Sequence, residues 1–224
     1  LGQHSRALAA VSGRTMIKYV LFDFDGTLVD SKDAFLTVFN QLAAQEGFLP
    51  LKHEELPYLR TLTIPQRARH LNFPLYKLPF FTLRLYKLYK QQLHQLALFP
   101  GIREMLQTLA ARGVEPVIVS SNSEANIRAF LEQHGIQEIK EVLTSSRIFG
   151  KDTMINRFLK AKNLTSPQVL YVGDELRDVL ACRKSGIKII WVSWGYDALE
   201  VVQPAAPDYL AHSPGEILKV IPVI

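Results

Sequence analysis

The stretch Ile17-Lys18-Tyr19-Val20-Leu21-Phe22-Asp23-Phe24-Asp25-Gly26-Thr27-Leu28 decides how this chain is read. An apolar run from Ile17 to Phe22 has the length and composition of a buried strand. It ends in two carboxylates, and residues two apart on an extended chain point the same way. Asp23 and Asp25 can therefore face one small ligand. Gly26 follows, and glycine permits the sharp turn the chain needs there. Two acids about 4 Å apart at an effective dielectric near 20 repel by on the order of 4 kcal/mol. The pair thus implies a metal, a shared proton, or both. The plainer alternative is a surface turn, since Asp, Gly and Thr are common turn residues.

Outward from this segment, apolar runs alternate with helical spacing, as expected for a parallel sheet covered on both faces, a doubly wound α/β domain. Further strands are predicted at Glu115 to Val119, Glu141 to Leu143, Val169 to Val172 and Lys188 to Val192. Helices are predicted near Gly101 to Arg112, Glu124 to His134, Lys151 to Lys162 and Arg177 to Ser185. Ligands of such sheets lie at the carboxyl ends of the strands. The polar residues that follow the strands share that position: Asp23, Ser120, Lys151 after a short loop, and Asp174.

The alternation fails in one interval. Residues 31 to about 95 show no strand pattern but keep helical spacing, as in Ala34, Phe35, Val38, Phe39, Leu42 and Ala43, and in Phe81, Leu85, Leu88 and Tyr89. An inserted all-helical cap at 31–97 is expected, with 16–30 and 98–224 forming the α/β core. The interval carries nine Lys and Arg against four Asp and Glu, so the net charge of +5 of the whole chain resides in it. A positive lid would draw anions into a cleft; equally, Lys and Arg scattered on helices form a solvated face. No basic run or binding motif points to nucleic acid.

With 224 residues, 48% of them hydrophobic, the chain can bury one core of ordinary size and a smaller insertion. No stretch approaches the roughly 18 apolar residues of a membrane helix, and no secretory signal pattern is present. The lone cysteine, Cys182, forms no internal disulfide, in keeping with a reducing, cytoplasmic setting, and it reads as a small apolar residue of a helix. The first fifteen residues carry Arg6 and Arg14 and no acid, so Met16 is a candidate start. No heptad run distinguishes a monomer from a homodimer.

Taken together, Asp23 to Thr27 (DxDGT after an apolar strand), Ser120, Lys151 and the Gly173-Asp174-x-x-x-Asp178 element occur in the order found in the haloacid dehalogenase superfamily. From about Ile17 to Leu210 the chain resembles its helical-capped phosphatases of the phosphoglycolate phosphatase type. Leu98 to Gly101 and Trp194 to Tyr196 are similar to segments at the cap exit and after the last main strand. One departure is that the proline often found soon after the lysine is absent.

The resemblance implies a Mg²⁺-dependent hydrolysis of a small phosphorylated metabolite through an aspartyl phosphate, and the residue types suit it. Phosphoryl transfer needs an in-line nucleophile, neutralisation of spreading charge and a proton for the leaving oxygen. Asp23 is the expected nucleophile, and Asp25 the acid and base, with its pKa raised by its neighbour. Mg²⁺ is expected between Asp23, the Asp25 backbone carbonyl and Asp174, with Asp178 either reaching it through water or orienting its neighbours. As a first-turn acid, Asp178 also suits the helix dipole. Ser120 is expected to donate to a phosphate oxygen; Ser121, Asn122 and Ser123 compete with it or cap the next helix, and Asn122 is counted with the substrate-binding set. Lys151 opposes the dipole of the helix it opens, which suits a phosphate grip better than folding, although Asp152 beside it softens that cost. Thr27 holds the turn or contacts phosphate. In the cap, Arg60, Arg67, Arg69 and Lys77 are candidates for reading the rest of the substrate, and Tyr58, Tyr76, Phe80 and Phe81 for lining its pocket. The alternatives are a phosphomutase sharing the aspartyl phosphate, a dehalogenase, which Asp25 argues against, and a catalytically silent binding protein.

Overall fold

The computed structural model describes residues 16–145 and 150–221; the expectations concerning residues 1–15 and the segment before Gly150 lie outside them. Among the described residues eight strands are formed: β1 (Tyr19–Phe22), β2 (Val29–Asp30), β3 (Ala97–Leu98), β4 (Glu115–Ser120), β5 (Glu141–Thr144), β6 (Val169–Gly173), β7 (Lys188–Val192) and β8 (Tyr209–Ala211). Six of them make one sheet in the order β5-β4-β1-β6-β7-β8, every pair parallel. The chain runs outward from β1 to β5 on one side, then crosses back to β6 on the other. That reversal leaves a crevice at the carboxyl end of β1, where such sheets bind ligands.

The strands show a strict two-residue alternation of faces. Val20, Phe22, Ile118, Leu170, Val172, Ile190 and Val192 pack on one side, and Leu21, Val117, Val119, Tyr171, Ile189 and Trp191 on the other. The first face is covered by α5 (Ile102–Ala111), α6 (Glu124–Gln133) and α10 (Pro214–Val220). The second is covered by α7 (Lys151–Ala161), α8 (Leu176–Ser185) and α9 (Leu199–Val202), with Cys182 of α8 wholly buried. Burial on both faces explains why the strands read as continuous apolar runs.

Between β2 and β3 the chain forms α1 (Lys32–Glu46), α2 (Leu56–Leu59), α3 (Ile64–His70) and α4 (Leu78–Tyr89), joined by short 3₁₀ turns. The two strands flanking this helical layer pair antiparallel, Val29 with Leu98 and Asp30 with Ala97, so entry and exit form one ribbon. Phe81 of α4 meets Phe39 of α1 and Phe73, which lies between α3 and α4, edge to face at 4.9–5.4 Å, an arrangement worth about 0.5–1.5 kcal/mol per pair beyond burial. Among the described residues, no helix is long and apolar enough to cross a membrane.

Candidate active site

The site begins where β1 ends. Asp23 extends the ladder, its amide donating to Val172 O at 2.9 Å, and its carboxylate, 1% exposed, accepts from the Phe24 amide through Oδ1 at 2.7 Å. The chain then turns at Gly26, with φ of +79°. A Cβ there would lie 2.5 Å from Asp174 Oδ2 and 2.6 Å from the Tyr196 ring, so both the conformation and the space demand glycine. The turn is closed by the Gly26 amide on Val29 O at 2.9 Å.

Lys151, the first residue of α7, is as buried as Asp23. Its ammonium stands 2.6 Å from Asp23 Oδ2 and 2.6 Å from Asp178 Oδ1. Burial pushes this lysine toward its neutral form, but the charges of Asp178 and Asp23 override it and raise its pKa, so it stays an ammonium. Asp178 combines the two roles its position suggests. Its Oδ2 accepts the Glu175 amide at 3.1 Å, capping α8, while Oδ1 receives Lys151 and, at 3.3 Å, the Tyr171 hydroxyl.

Asp25 is held between the sheet and the helical layer. Tyr89 of α4 donates to its Oδ1, and Asn122 Nδ2 to its Oδ2 at 2.9 Å. Burial raises its pKa above 3.8, and the bonds from Tyr89, Asn122 and Ser31 oppose the rise. Asp23 is pushed up to about 7 by burial, with Lys151 opposing. Ser120 ends β4 fully buried, and its Oγ accepts the Asn122 amide at 3.1 Å, which leaves its own hydrogen to donate. The capping question beside it is settled: Ser123 Oγ accepts from the Asn126 amide at 3.2 Å. Asn122 directs its side chain to Asp25, the Ser123 amide and Asn126.

Asp174 is buried and hydrogen-bonded through both carboxylate oxygens. Its Oδ1 accepts from Thr27 Oγ1 at 2.7 Å and its Oδ2 from the Tyr196 amide at 2.6 Å, and burial raises its pKa well above 3.8, with the charges of Glu175, Asp23 and Asp178 adding to the rise. Gly195 explains the orientation: a Cβ there would sit 2.1 Å from Asp174, and only glycine lets this loop close over the carboxylate. Thr27 accordingly fastens the turn to Asp174. The acids gathered at Asp23 are Glu175 and Asp178, each of the three offering an oxygen within 4.8 Å of the others. Neither Glu175 nor Arg177 is predicted from the sequence. Arg177 pairs with Glu175, lies 4.0 Å from Asp23 Oδ2 and donates to Ser121 Oγ at 3.0 Å. Their place inside the Gly-Asp-x-x-x-Asp element, at the mouth of the crevice, is the signal that could have found them.

The donor set fits a hard divalent cation. Three buried carboxylates converge, and Asp23 Oδ2, although beside Lys151, receives no aligned hydrogen bond. Oxygen-only ligation of this kind suits Mg²⁺ or Ca²⁺ over the softer metals.

Above the site, the helical layer and the core line a cavity of about 240 Å³ that reaches Asp25, Ser121 and Arg177. Of the cap residues expected to face it, Arg60, Arg67 and Phe81 do; Tyr58, Tyr76 and Phe80 are exposed outside it, and Lys77 turns to Glu46 at 3.0 Å. Arg67 Nε donates to Leu59 O at 2.8 Å, and its Nη2 reaches Tyr196 O at 3.2 Å and the Asp197 carboxylate. Arg60 Nη2 donates to Ser193 O at 2.8 Å, and the Ala198 amide returns a bond to Arg60 O at 2.8 Å. These contacts fasten the helical layer to the loop that carries Trp194 to Tyr196.

Comparison with known proteins agrees with this geometry. Residues 20–192 match the model of the family described as haloacid dehalogenase-like hydrolase. A phosphoglycolate phosphatase of Synechococcus elongatus is 31% identical over 207 residues, covering 90% of this chain and 96% of its own length; one from Vibrio cholerae is 27% identical, covering 92% and 97%. Among solved structures, a hydrolase of the haloacid dehalogenase-like family from Streptococcus pneumoniae superposes with a TM-score of 0.76 at 22% identity, over 92% of this chain and 99% of that one. With DxDGT opening the crevice, a lysine bridging its first aspartate to the late acidic element and a helical layer above, the chain belongs to the haloacid dehalogenase-like hydrolase family, as a phosphoric monoester hydrolase.

Proposed function

We propose that the chain hydrolyses small phosphate monoesters with Mg²⁺ and through an aspartyl phosphate on Asp23. The observation that carries this reading is the buried Asp23 carboxylate held against Lys151, with a second carboxyl, Asp25, two residues on and separately hydrogen-bonded. The division of labour follows from those surroundings. Asp23 attacks phosphorus, the bond to the leaving oxygen breaks, and Asp25 gives that oxygen its proton. Asp25 then takes a proton from water, whose oxygen attacks phosphorus and displaces Asp23, releasing inorganic phosphate. Lys151, Arg177 and the Ser120 hydroxyl supply cationic charge and a donor to the phosphoryl oxygens. Asn122 and Tyr89 hold Asp25 in place, and Thr27 holds the turn.

Asp23, Glu175 and Asp178 would hold Mg²⁺, with Asp174 beside them; Glu175, Asp178 and Asp174 would each exchange a hydrogen bond or ion pair for the metal. When bound, the ion supplies charge neutralisation for the nucleophile and the phosphoryl group. The relatives named phosphoglycolate phosphatase make phosphoglycolate the first ester to assay. The deciding experiment is rapid acid quench with ester labelled at phosphorus, in Mg²⁺. Label retained on the protein in the first turnover, and lost in Asp23→Asn, is the expected result; wild-type phosphate release by Asp23→Asn overturns the reading.

A further inference from the structure

The cavity over Asp25 differs in kind from the floor beneath it. Its walls are Phe35 and Phe39 of α1, Leu59 of α2, and Phe81, Leu85 and Tyr89 of α4. The polar groups near these walls are already engaged. Thr82 donates to Leu78 O at 2.8 Å, Tyr89 donates to Asp25, Tyr86 shares a bond with Ser121 Oγ at 3.0 Å, and Arg67 is bound to Leu59, Tyr196 and Asp197. Lys77 and Arg84 are held by Glu46 on the far side. The exception is Arg60 Nε, a buried donor without an acceptor.

A leaving group as small and as charged as glycolate suits this chamber poorly. It would leave most of an apolar space of about 240 Å³ unfilled, and its carboxylate would need a cation: of those that line the chamber, Arg67 is paired with Asp197, Arg177 with Glu175 and Lys32 with Asp30 at 3.8 Å, which leaves Arg60. On the scale at which an apolar cavity of roughly 150 Å³ accepts benzene, this one takes a ring or a short hydrocarbon chain. The cavity is continuous with the catalytic floor, so a hydrocarbon inside it and a phosphate against Lys151 can belong to one molecule.

We infer that the substrate is the phosphate monoester of an apolar alcohol, its hydrocarbon lodged between α1 and α4 while its phosphate meets Asp23 and Lys151. This rests on the phosphatase reading and narrows its substrate class. Tyr89 marks the boundary, its ring in the apolar wall and its hydroxyl on Asp25, so the alkyl oxygen leaves where wall and acid meet.

The test is kcat/KM for methyl, butyl and hexyl phosphate and for phosphoglycolate, with Mg²⁺. The alkyl leaving groups are nearly alike in basicity, so the series reports burial. At about 0.8 kcal/mol per buried methylene, kcat/KM rises roughly fourfold per carbon until the chamber is full, and hexyl phosphate overtakes phosphoglycolate. Leu85→Phe, which fills the chamber, lowers the ratio of hexyl to methyl phosphate at least tenfold; Leu59→Phe, in the α2 part of the lining, serves if the first variant does not fold. A flat series, an unchanged ratio in the folded variant, or phosphoglycolate ahead of hexyl phosphate with that lead abolished by Arg60→Met, each overturns the inference and leaves the phosphatase reading standing. Turnover of none of the four esters overturns both.

Discussion

The floor and the roof of the cleft are built on opposite principles. On the floor, charged groups are buried and held close to partners: Lys151 between Asp23 and Asp178, and Asp174 between Thr27 and the Tyr196 amide. Each stands at or just beyond a strand end, where the parallel sheet aims successive loops at one point. The roof is a helical layer with an apolar lining, and it touches the chemistry through the hydroxyls of Tyr86 and Tyr89 and through the arginines anchored to the 193–198 loop. Burying paired charges contributes little to stability and is costly when a partner is lost, so the floor tolerates few changes. Apolar walls accept changes of volume at modest cost. Changes to the floor should therefore act on kcat, and changes to the roof on KM and on the ranking of substrates.

Asp23→Asn gives the largest expected effect, a loss of kcat on the order of 10⁴-fold or more, because no other carboxylate takes over covalent capture. Its melting temperature should hold, since Lys151 keeps Asp178 as its partner and the amide removes a buried charge that the fold already disfavours, as its pKa of about 7 indicates. Steady-state kinetics with a thermal melt checks both; large activity loss with a collapsed melting temperature would instead mark Asp23 as structural.

Tyr89→Phe is the sharper probe of the boundary between the two regions, because it removes one oxygen from the roof and leaves its packing. The phenol donates to Asp25 and thereby favours the carboxylate, so its loss raises the pKa of Asp25 further. A kcat reduced by roughly 10- to 100-fold is expected, part of the 10²–10⁴ that a positioned acid or base contributes. The alkaline limb of the pH–rate profile, set by the protonated acid, should move upward. An unshifted profile would show that the roof does not tune the acid.

The floor was legible in the sequence to the extent that it is local. The carboxylates of Asp23 and Asp25, the Ser120 hydroxyl and the Lys151 ammonium are fixed by where an apolar run stops, and strand runs buried on both faces are hard to misread. The insertion was visible as helical spacing at Ala34 to Ala43 and Phe81 to Tyr89. Strands β2, β3 and β8 escaped, since two or three residues carry no period. The orientation of Asp174 escaped for a different reason: it depends on Gly195, twenty-one positions away, closing against it. Glu175 stands beside Asp23 and Asp178, a place that the spacing of Gly-Asp-x-x-x-Asp does not reveal. The cap charges, read as a lid for anions or a solvated face, became in part internal anchors, Arg67 to Asp197 above all.

Adding Mg²⁺ tests the floor without mutation. In the metal-free protein the Asp23 carboxyl, at about 7 against an ordinary 3.8, keeps a proton that the unfolded chain has lost. Stability from this group is therefore greatest at low pH and declines as pH rises through about 4 to 7. Mg²⁺ needs the ionised form, so its stabilisation should be larger at pH 7.5 than at pH 5.5. At a hundredfold excess over Kd it adds about 2.7 kcal/mol, or roughly 5–10 °C in Tm for a chain of this size. Equal gains at both pH values, or none, would remove the carboxylates from metal binding.

Arg67→Lys carries the smallest expected effect and bears on what holds the roof down. The guanidinium makes a fork to Leu59 O, Tyr196 O and Asp197, whereas a lysine ammonium is a point donor that cannot span all three. Loss of one or two such bonds lowers stability by about 1–2 kcal/mol in a denaturant titration. The Asp197 carboxylate, already raised to about 6 by burial and by Glu175 with Arg67 opposing, would rise further as that opposition weakens. If these bonds are a latch, KM should rise by the same factor for methyl and hexyl phosphate while kcat holds, because closing the roof precedes any contact with the hydrocarbon. If Arg67 instead shapes the apolar wall, the rise should grow with chain length, and the separation between a polar fastening and an apolar lining would have to be redrawn.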